Sequence, residues 1–239
     1  MGAALGQEVL GRIRFSGDLE AVADADVVIE SAIEADTAAV DLLKKLDAVM
    51  LPEAVLGTHA SMLKLEPCAS ALTRPERFVG LHFLSPVIGM QLVEVGCTTQ
   101  TADHALQRFE LFCSQIGKTV VRVKASPGYL VNRLLVAYLL HGIETLESGI
   151  ASADDIDQAM QLGCGHPVGP LTLCDLLGID VVCCMADALQ RELKDDRYRI
   201  PSTLKQLLQQ KHFGRMTGIG IYDYTGMKRK LNPSIKTAR

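Results

Sequence analysis

Ser61, His82, Glu94 and Asn132 fall at the ends of predicted strands and helices, where structure alone gives no obvious reason for polar side chains. Imidazole is the side chain that changes charge near neutral pH, so a neutral histidine is a natural acceptor for a proton. A carboxylate beside it can fix the orientation of the ring and stabilise the imidazolium that forms. Each residue is weak evidence alone. A histidine beside a strand is more often structural than a base, and a strand glutamate more often belongs to a solvated face. Their grouping has to carry the argument.

The elements that would position them alternate in the first half of the chain. Short β-branched runs predict strands at Ile13-Arg14-Phe15, Asp26 to Glu30, Ala54 to Thr58 and Phe78 to Phe83, which argues for a parallel sheet covered by helices. Between them, Thr37 to Val49 reads as an amphipathic helix, with Val40, Leu43 and Leu46 on one face and Asp41, Lys44, Lys45 and Asp47 largely opposite. Further strands are expected at Leu92 to Val95 and Thr119 to Val123, separated by a helix from about Thr101 to Ile116 that ends at Gly117. From Pro127 the signals are helical: Tyr129 to Gly149, Ser152 to Leu162, Gly169 to Arg191 and Ser202 to Gln210, with strand character returning only at Ile221-Tyr222. Ser152 followed by Asp155 offers an N-cap, and Gly149 and Gly163 offer helix stops. The fold class is therefore α/β followed by an all-helical domain, divided into residues 1–124 and 125–239.

Composition removes several alternatives. Of 239 residues, 48% are apolar and 22% charged, which suits globular domains rather than a disordered chain. The 24 basic and 28 acidic side chains are not gathered into blocks, so nucleic acid is not an expected partner. Lys228-Arg229-Lys230 is too short for a binding arm and reads as a solvated terminus. Seven cysteines, an odd number without C-x-x-C or metal-ligand spacing, point to a reducing compartment, the cytoplasm, and to core packing. Residues 1–14 lack the apolar stretch of a signal peptide, and Leu134 to Leu140 falls well short of a membrane span. No metal site is expected.

Four stretches run in a recognisable order: Gly57-Thr58-His59-Ala60-Ser61, Gly80-Leu81-His82-Phe83-Leu84-Ser85-Pro86, Leu92-Val93-Glu94-Val95 and Pro127-Gly128-Tyr129-Leu130-Val131-Asn132-Arg133. In order and spacing the chain resembles the short-chain L-3-hydroxyacyl-CoA dehydrogenases. Ala151 to Asp157, Gly165-His166-Pro167-Val168-Gly169-Pro170 and Phe213 to Tyr222 extend the resemblance over nearly the whole chain.

The resemblance implies an NAD-linked oxidoreductase that interconverts a short-chain L-3-hydroxyacyl-CoA, such as 3-hydroxybutyryl-CoA, and the 3-ketoacyl-CoA in fatty-acid oxidation or a related pathway. Its catalytic residues would be His82 as general base, Glu94 as the partner of that base, and Ser61 and Asn132 as hydrogen-bonding groups for substrate oxygens. Cofactor-facing positions would be Ser31, Glu34, Ser61 and Ser85. The partners implied are the acyl-CoA substrate and a second copy of the chain, paired through the helical domain by the apolar faces of Leu134 to Leu140 and Leu171 to Met185.

Three departures stand beside the likeness. A Rossmann-like NAD-binding domain should open with strand, glycine-rich turn and helix, but this chain has no G-x-G-x-x-G. Aligned by its motifs it begins before what resembles the third strand, an amino-terminally truncated domain for which NAD affinity is expected to be poor. Family members usually carry Asn where this chain has His59 and Ser85, and commonly Lys where it has Ala39. The alternative reading is a catalytically inactive remnant that acts only by dimerising or binding a partner. Titration with NADH separates the two, because the remnant should show no saturable binding.

Overall fold

A short β-branched run becomes a strand only where neighbours satisfy its backbone donors and acceptors, and the first half of the chain supplies those neighbours in one sheet. The computed structural model describes residues 7–31, 36–59 and 63–235. It divides into two units, Met1–Ser126 and Pro127–Arg239.

In the first unit the sheet order is β1-β2-β3-β4-β5, with β1 at Val27–Glu30, β2 at Val55–Thr58, β3 at Phe78–Phe83, β4 at Leu92–Cys97 and β5 at Thr119–Lys124. Strands β1, β2 and β3 are parallel, β4 is antiparallel to β3, and β5 is parallel to β4. The parallel arrangement expected of the first strands is present in β1, β2 and β3, and the direction reverses at β4. The connection between β3 and β4 spans only residues 84–91, shorter than the dozen or so residues a parallel crossover needs, so β4 has to return antiparallel.

Helices α1 (Asp36–Val49), α2 (Leu65–Ser70) and α3 (Asp103–Gln115) accompany the sheet. Ala105, Leu106, Phe109 and Cys113 of α3 pack on Val79 and Leu81 of β3, Val93 and Val95 of β4 and Val55 of β2. Gly57 is required under this layer, because a Cβ there would stand 2.5 Å from Leu81 Cδ1 and 2.8 Å from Phe109 Cζ. The other face of β3 and β4 is left to His82 and Glu94, since successive side chains of a strand point to opposite sides.

Ile13-Arg14-Phe15 is not a strand. Ile13 is 49% and Phe15 87% exposed, and a three-residue run without a neighbouring strand cannot hold an extended ladder. Strand β1 forms an edge of the sheet, with β2 as its one strand neighbour among the described residues.

The second unit contains α4 (Val131–Glu147), α5 (Ala153–Cys164), α6 (Pro170–Leu177), α7 (Ile179–Leu193) and α8 (Ser202–Gln209). Val136, Leu139, Leu140, Ile143 and Leu146 of α4 are buried, as expected for the central helix, which contacts the other four. Ser152 caps α5 as predicted, accepting from the Asp155 amide at 3.2 Å. The helix runs through Gly163, however, and stops at Gly165, which adopts the left-handed conformation at φ 70°. The single helix expected over Gly169 to Arg191 is two. Gly178 takes φ 99° and ψ 125°, which a helix cannot accommodate, so the chain turns between α6 and α7.

The closing segment is built into this unit. Strands β6 (Tyr222–Asp223) and β7 (Lys230–Leu231) form a small antiparallel pair. Asp157 accepts from the Leu171 amide at 2.8 Å and the Thr172 amide at 3.0 Å, which caps the start of α6, and from the Tyr222 hydroxyl at 2.9 Å. Asp175 accepts from the Ile221 and Tyr222 amides at 2.7 and 2.8 Å and from the Tyr224 hydroxyl at 2.9 Å. Burial pushes the Asp175 carboxyl up to about 6, against the pull of those three donors.

Arg229 is no solvated tail. Its guanidinium lies 4.3 Å from the centre of the Tyr222 ring and within 3.3 Å of Asp154 and 3.6 Å of Asp157. No described helix is long and apolar enough to cross a membrane.

This docking gives a stability prediction. In Gly220→Ala the new Cβ would stand 2.1 Å from Asp175 Oδ1 and 2.5 Å from Gly214 Cα, so the strap has to lift off its carboxylate. With buried hydrogen bonds broken, the expected loss is about 2 to 4 kcal/mol, read as a lower urea midpoint. A midpoint unchanged from wild type would contradict this account of the closing segment.

Candidate active site

Parallel strands end on a common edge, and β1, β2 and β3 therefore bring Glu30, Thr58 and Phe83 to one side of the sheet, followed by Ser31, His59 and Ser85. Because β4 runs back against β3, its first residues start at that same edge. The antiparallel register sets His82 directly opposite Glu94, with Gly80 opposite Gly96 one step further along the same face. Neither glycine has a side chain to crowd the pair.

His82 Nδ1 lies 2.6 Å from Glu94 Oε2. His82 is 7% exposed and Glu94 fully buried, and a carboxylate so placed would be costly without a hydrogen-bonding partner. A carboxylate can only accept, so in the neutral ring Nδ1 carries the hydrogen and Nε2 the lone pair. That is the tautomer a proton acceptor oriented by a carboxylate requires.

Around this pair the strand ends are cross-linked. The buried Thr58 hydroxyl donates to Glu30 Oε2 at 2.6 Å, and the His59 amide donates to the Glu30 carbonyl at 2.7 Å. The His59 ring lies 3.3 Å from Ser31 Oγ through Nδ1 and 3.4 Å from the Phe83 carbonyl oxygen through Nε2. It is inclined by 18° to the His82 ring, with centroids 6.4 Å apart.

Of the residues singled out from the sequence, the sheet brings together His82 and Glu94, with Ser31 just past β1 and bonded to His59. Ser85 is exposed in the bend after β3, where its bond to Pro86 is cis. Asn132 is buried in the first turn of α4, in the second unit. Ser61 and Glu34 lie outside the described residues.

Glu30, Thr58 and His59 were not among the expected site residues. The available signal was positional, since all three stand at the carboxyl ends of parallel strands, where open α/β sheets bind their ligands. Among the described residues no group of three His, Cys, Asp or Glu side chains is placed to hold a metal ion. None of the seven cysteines is in a disulfide, and burial pushes the Cys183 thiol up to about 12.

Comparison with known proteins agrees with this geometry. The family described as "3-hydroxyacyl-CoA dehydrogenase, NAD binding domain" matches residues 2–126, and "3-hydroxyacyl-CoA dehydrogenase, C-terminal domain" matches residues 128–224. A probable 3-hydroxybutyryl-CoA dehydrogenase of Deinococcus radiodurans is 38% identical over 218 residues, 91% of this chain and 78% of that protein. The mitochondrial hydroxyacyl-coenzyme A dehydrogenase of Homo sapiens is 37% identical over 220 residues, 91% of this chain and 70% of that one. The crystal structure of (S)-3-hydroxybutyryl-CoA dehydrogenase PaaH1 from Ralstonia eutropha superimposes with a TM-score of 0.86 at 34% identity, covering 92% of this chain and 78% of that one. The chain belongs to the 3-hydroxyacyl-CoA dehydrogenase family.

Proposed function

We propose that this protein interconverts a short-chain L-3-hydroxyacyl-CoA, of which 3-hydroxybutyryl-CoA is the leading case, and the corresponding 3-ketoacyl-CoA, with NAD as cofactor and His82 as general base. The observation that carries the proposal is the buried His82–Glu94 pair at 2.6 Å. Oxidising a secondary alcohol requires a group that takes the hydroxyl proton as the hydride departs, and Nε2 of His82 is that group. Glu94 holds the ring through Nδ1 and offsets the positive charge that the proton brings. By the family resemblance, Ser61 and Asn132 are assigned as hydrogen-bonding groups for the substrate oxygens.

NAD, when bound, supplies the hydride acceptor. The strand ends fit its nicotinamide half, where the exposed hydroxyls of Ser31 and Ser85 offer polar contacts; the family resemblance assigns Glu34 and Ser61 as two further cofactor-facing residues. A pyrophosphate asks for a glycine-rich turn into a helix. The connection from β1 to α1, Ser31-Ala32-Ile33-Glu34-Ala35, contains no glycine, nor does the connection from β2 to α2. Ser31 and Ser85 are therefore assigned to the reacting end of the cofactor.

The same reading includes a homodimer formed through the helical unit and a cytoplasmic setting, which suits seven cysteines without a disulfide. Burial narrows the surface involved. Leu139, Leu140, Leu171 and Val182 are spent inside the unit, whereas Leu134 (63% exposed), Leu176, Leu177 and Val181 are open to a partner. Light scattering is expected to give twice the chain mass, and Leu134→Glu with Val181→Glu to return the monomer. A wild-type monomer at working concentration would contradict the pairing.

The activity is tested by following NADH absorbance when the chain is mixed with NAD and L-3-hydroxybutyryl-CoA. Saturable formation of NADH from the L isomer and none from the D isomer is the expected result. No NADH from either, at cofactor concentrations that saturate binding, would overturn the assignment.

A further inference from the structure

One imidazole at the carboxyl edge of the sheet is bonded on both sides and is not needed to move a proton. The Phe83 carbonyl oxygen can only accept, so His59 Nε2, 3.4 Å away, is the nitrogen that carries hydrogen. The lone pair of the neutral ring is then on Nδ1, 3.3 Å from Ser31 Oγ, whose hydroxyl donates to it. Ser31 follows β1, His59 follows β2 and Phe83 ends β3, so a single ring ties together the ends of three adjacent strands. Phe83 is also where the chain leaves β3 for the connection at residues 84–91, one residue beyond His82. The ring plane lies within 18° of that of His82 at a centroid distance of 6.4 Å.

We propose that His59 is a positioning residue for the proton-accepting His82, clamping the Ser31 and Phe83 ends and presenting a fixed ring face beside the base. This rests on the reading of His82 as general base. Strand ends fray first, because their last carbonyls lose ladder partners, and a bond to the Phe83 carbonyl holds the end of β3 just where the base has to stay in register with Glu94. The two sides of His82 are thus held by different means: Glu94 bonds to its Nδ1, and His59 lies along its ring. The Glu30 carboxylate at the end of β1 is engaged by the Thr58 hydroxyl at 2.6 Å.

The test uses the full chain labelled with ¹⁵N-histidine and long-range ¹H–¹⁵N correlation of the ring nitrogens, which reads tautomers without turnover. Wild type should show His59 protonated at Nε2 and His82 protonated at Nδ1. In His59→Phe, which keeps a ring and loses both bonds, exchange of the His82 Nδ1 hydrogen with water should rise about tenfold or more. His59→Gln, which keeps one donor and one acceptor, should stay within about twofold of wild type.

An Nδ1-protonated His59, or unchanged exchange at His82 in His59→Phe, would overturn the proposal. Should the Phe variant fail to fold, the wild-type tautomer of His59 decides alone. Failure of the parent reading looks different, because turnover that survives His82→Ala would remove the base and leave the His59 tautomer as it is.

Discussion

Glu94→Gln is expected to lower kcat by about two to four orders of magnitude while leaving the KM for acyl-CoA nearly unchanged. The substitution preserves shape in a position with no solvent exposure, so the change is one of charge and hydrogen bonding. A carboxylate can only accept, which keeps the His82 hydrogen on Nδ1 and the lone pair on Nε2. An amide can turn its NH2 group towards Nδ1, which favours the opposite tautomer and places hydrogen on the nitrogen that should receive it. It also removes the negative charge that stabilises the imidazolium. Steady-state kinetics with L-3-hydroxybutyryl-CoA measure the effect, and a kcat within about twofold of wild type would remove Glu94 from the mechanism.

Arg77→Met should be the most damaging single substitution in the sheet unit. Arg77 is 2% exposed, and its guanidinium bonds Asp47 Oδ1 at 2.6 and 3.2 Å and the Asp47 carbonyl at 2.8 Å. It also donates to the carbonyls of Leu51, Pro52 and Ala54. The last carbonyls of a helix lack partners within it, and this side chain gathers those beyond the end of α1 at the point where the chain enters β2. Methionine fills similar volume but takes the Arg77 donors away from Asp47 Oδ1 and from several carbonyls, leaving Asp47 with the Thr73 and Arg74 amides.

Breaking a buried pair from one side costs roughly 3 to 5 kcal/mol. Differential scanning calorimetry should show Tm lower by roughly 10 °C or more. Arg77→Lys is expected to recover only part of this, because an ammonium cannot span the same fork of acceptors. The pH dependence follows from Asp47. Burial raises its carboxyl, but hydrogen bonds from Arg77, Thr73 and Arg74 outweigh that and hold it below the usual carboxylate value. A depressed folded value contributes stability that is present above about pH 4 and lost as pH falls through the folded value, so the variant should show a flatter acid limb than wild type.

The sequence makes the His82–Glu94 pair legible because histidine and glutamate stand in strands whose apolar alternation is clear: Val79, Leu81, Val93 and Val95 all face α3 and leave the other side for His82 and Glu94. It is less clear about geometry that depends on connection length. The short link at residues 84–91 dictates an antiparallel return, and that return places Glu94 across from His82 in register.

Ile13-Arg14-Phe15 misleads because β propensity is realised only beside another strand. Gly178 is invisible to a periodicity argument, since the apolar pattern continues on both sides of it while the backbone does not. Arg229 and the Asp175 anchor are tertiary facts, made by residues far apart in the chain, and a run of three basic residues gives no hint of them. His59 is visible as an unusual residue in its motif, but its two bonds depend on where β1 and β3 end.

The most direct test is the ratio of NADH formation rates from L-3-hydroxybutyryl-CoA between wild type and His82→Ala, with His141→Ala as a surface control whose side chain is 81% exposed. A loss of at least about a hundredfold in His82→Ala with His141→Ala unchanged is the outcome expected of a buried imidazole that receives the hydroxyl proton. Equal rates in all three proteins would contradict it.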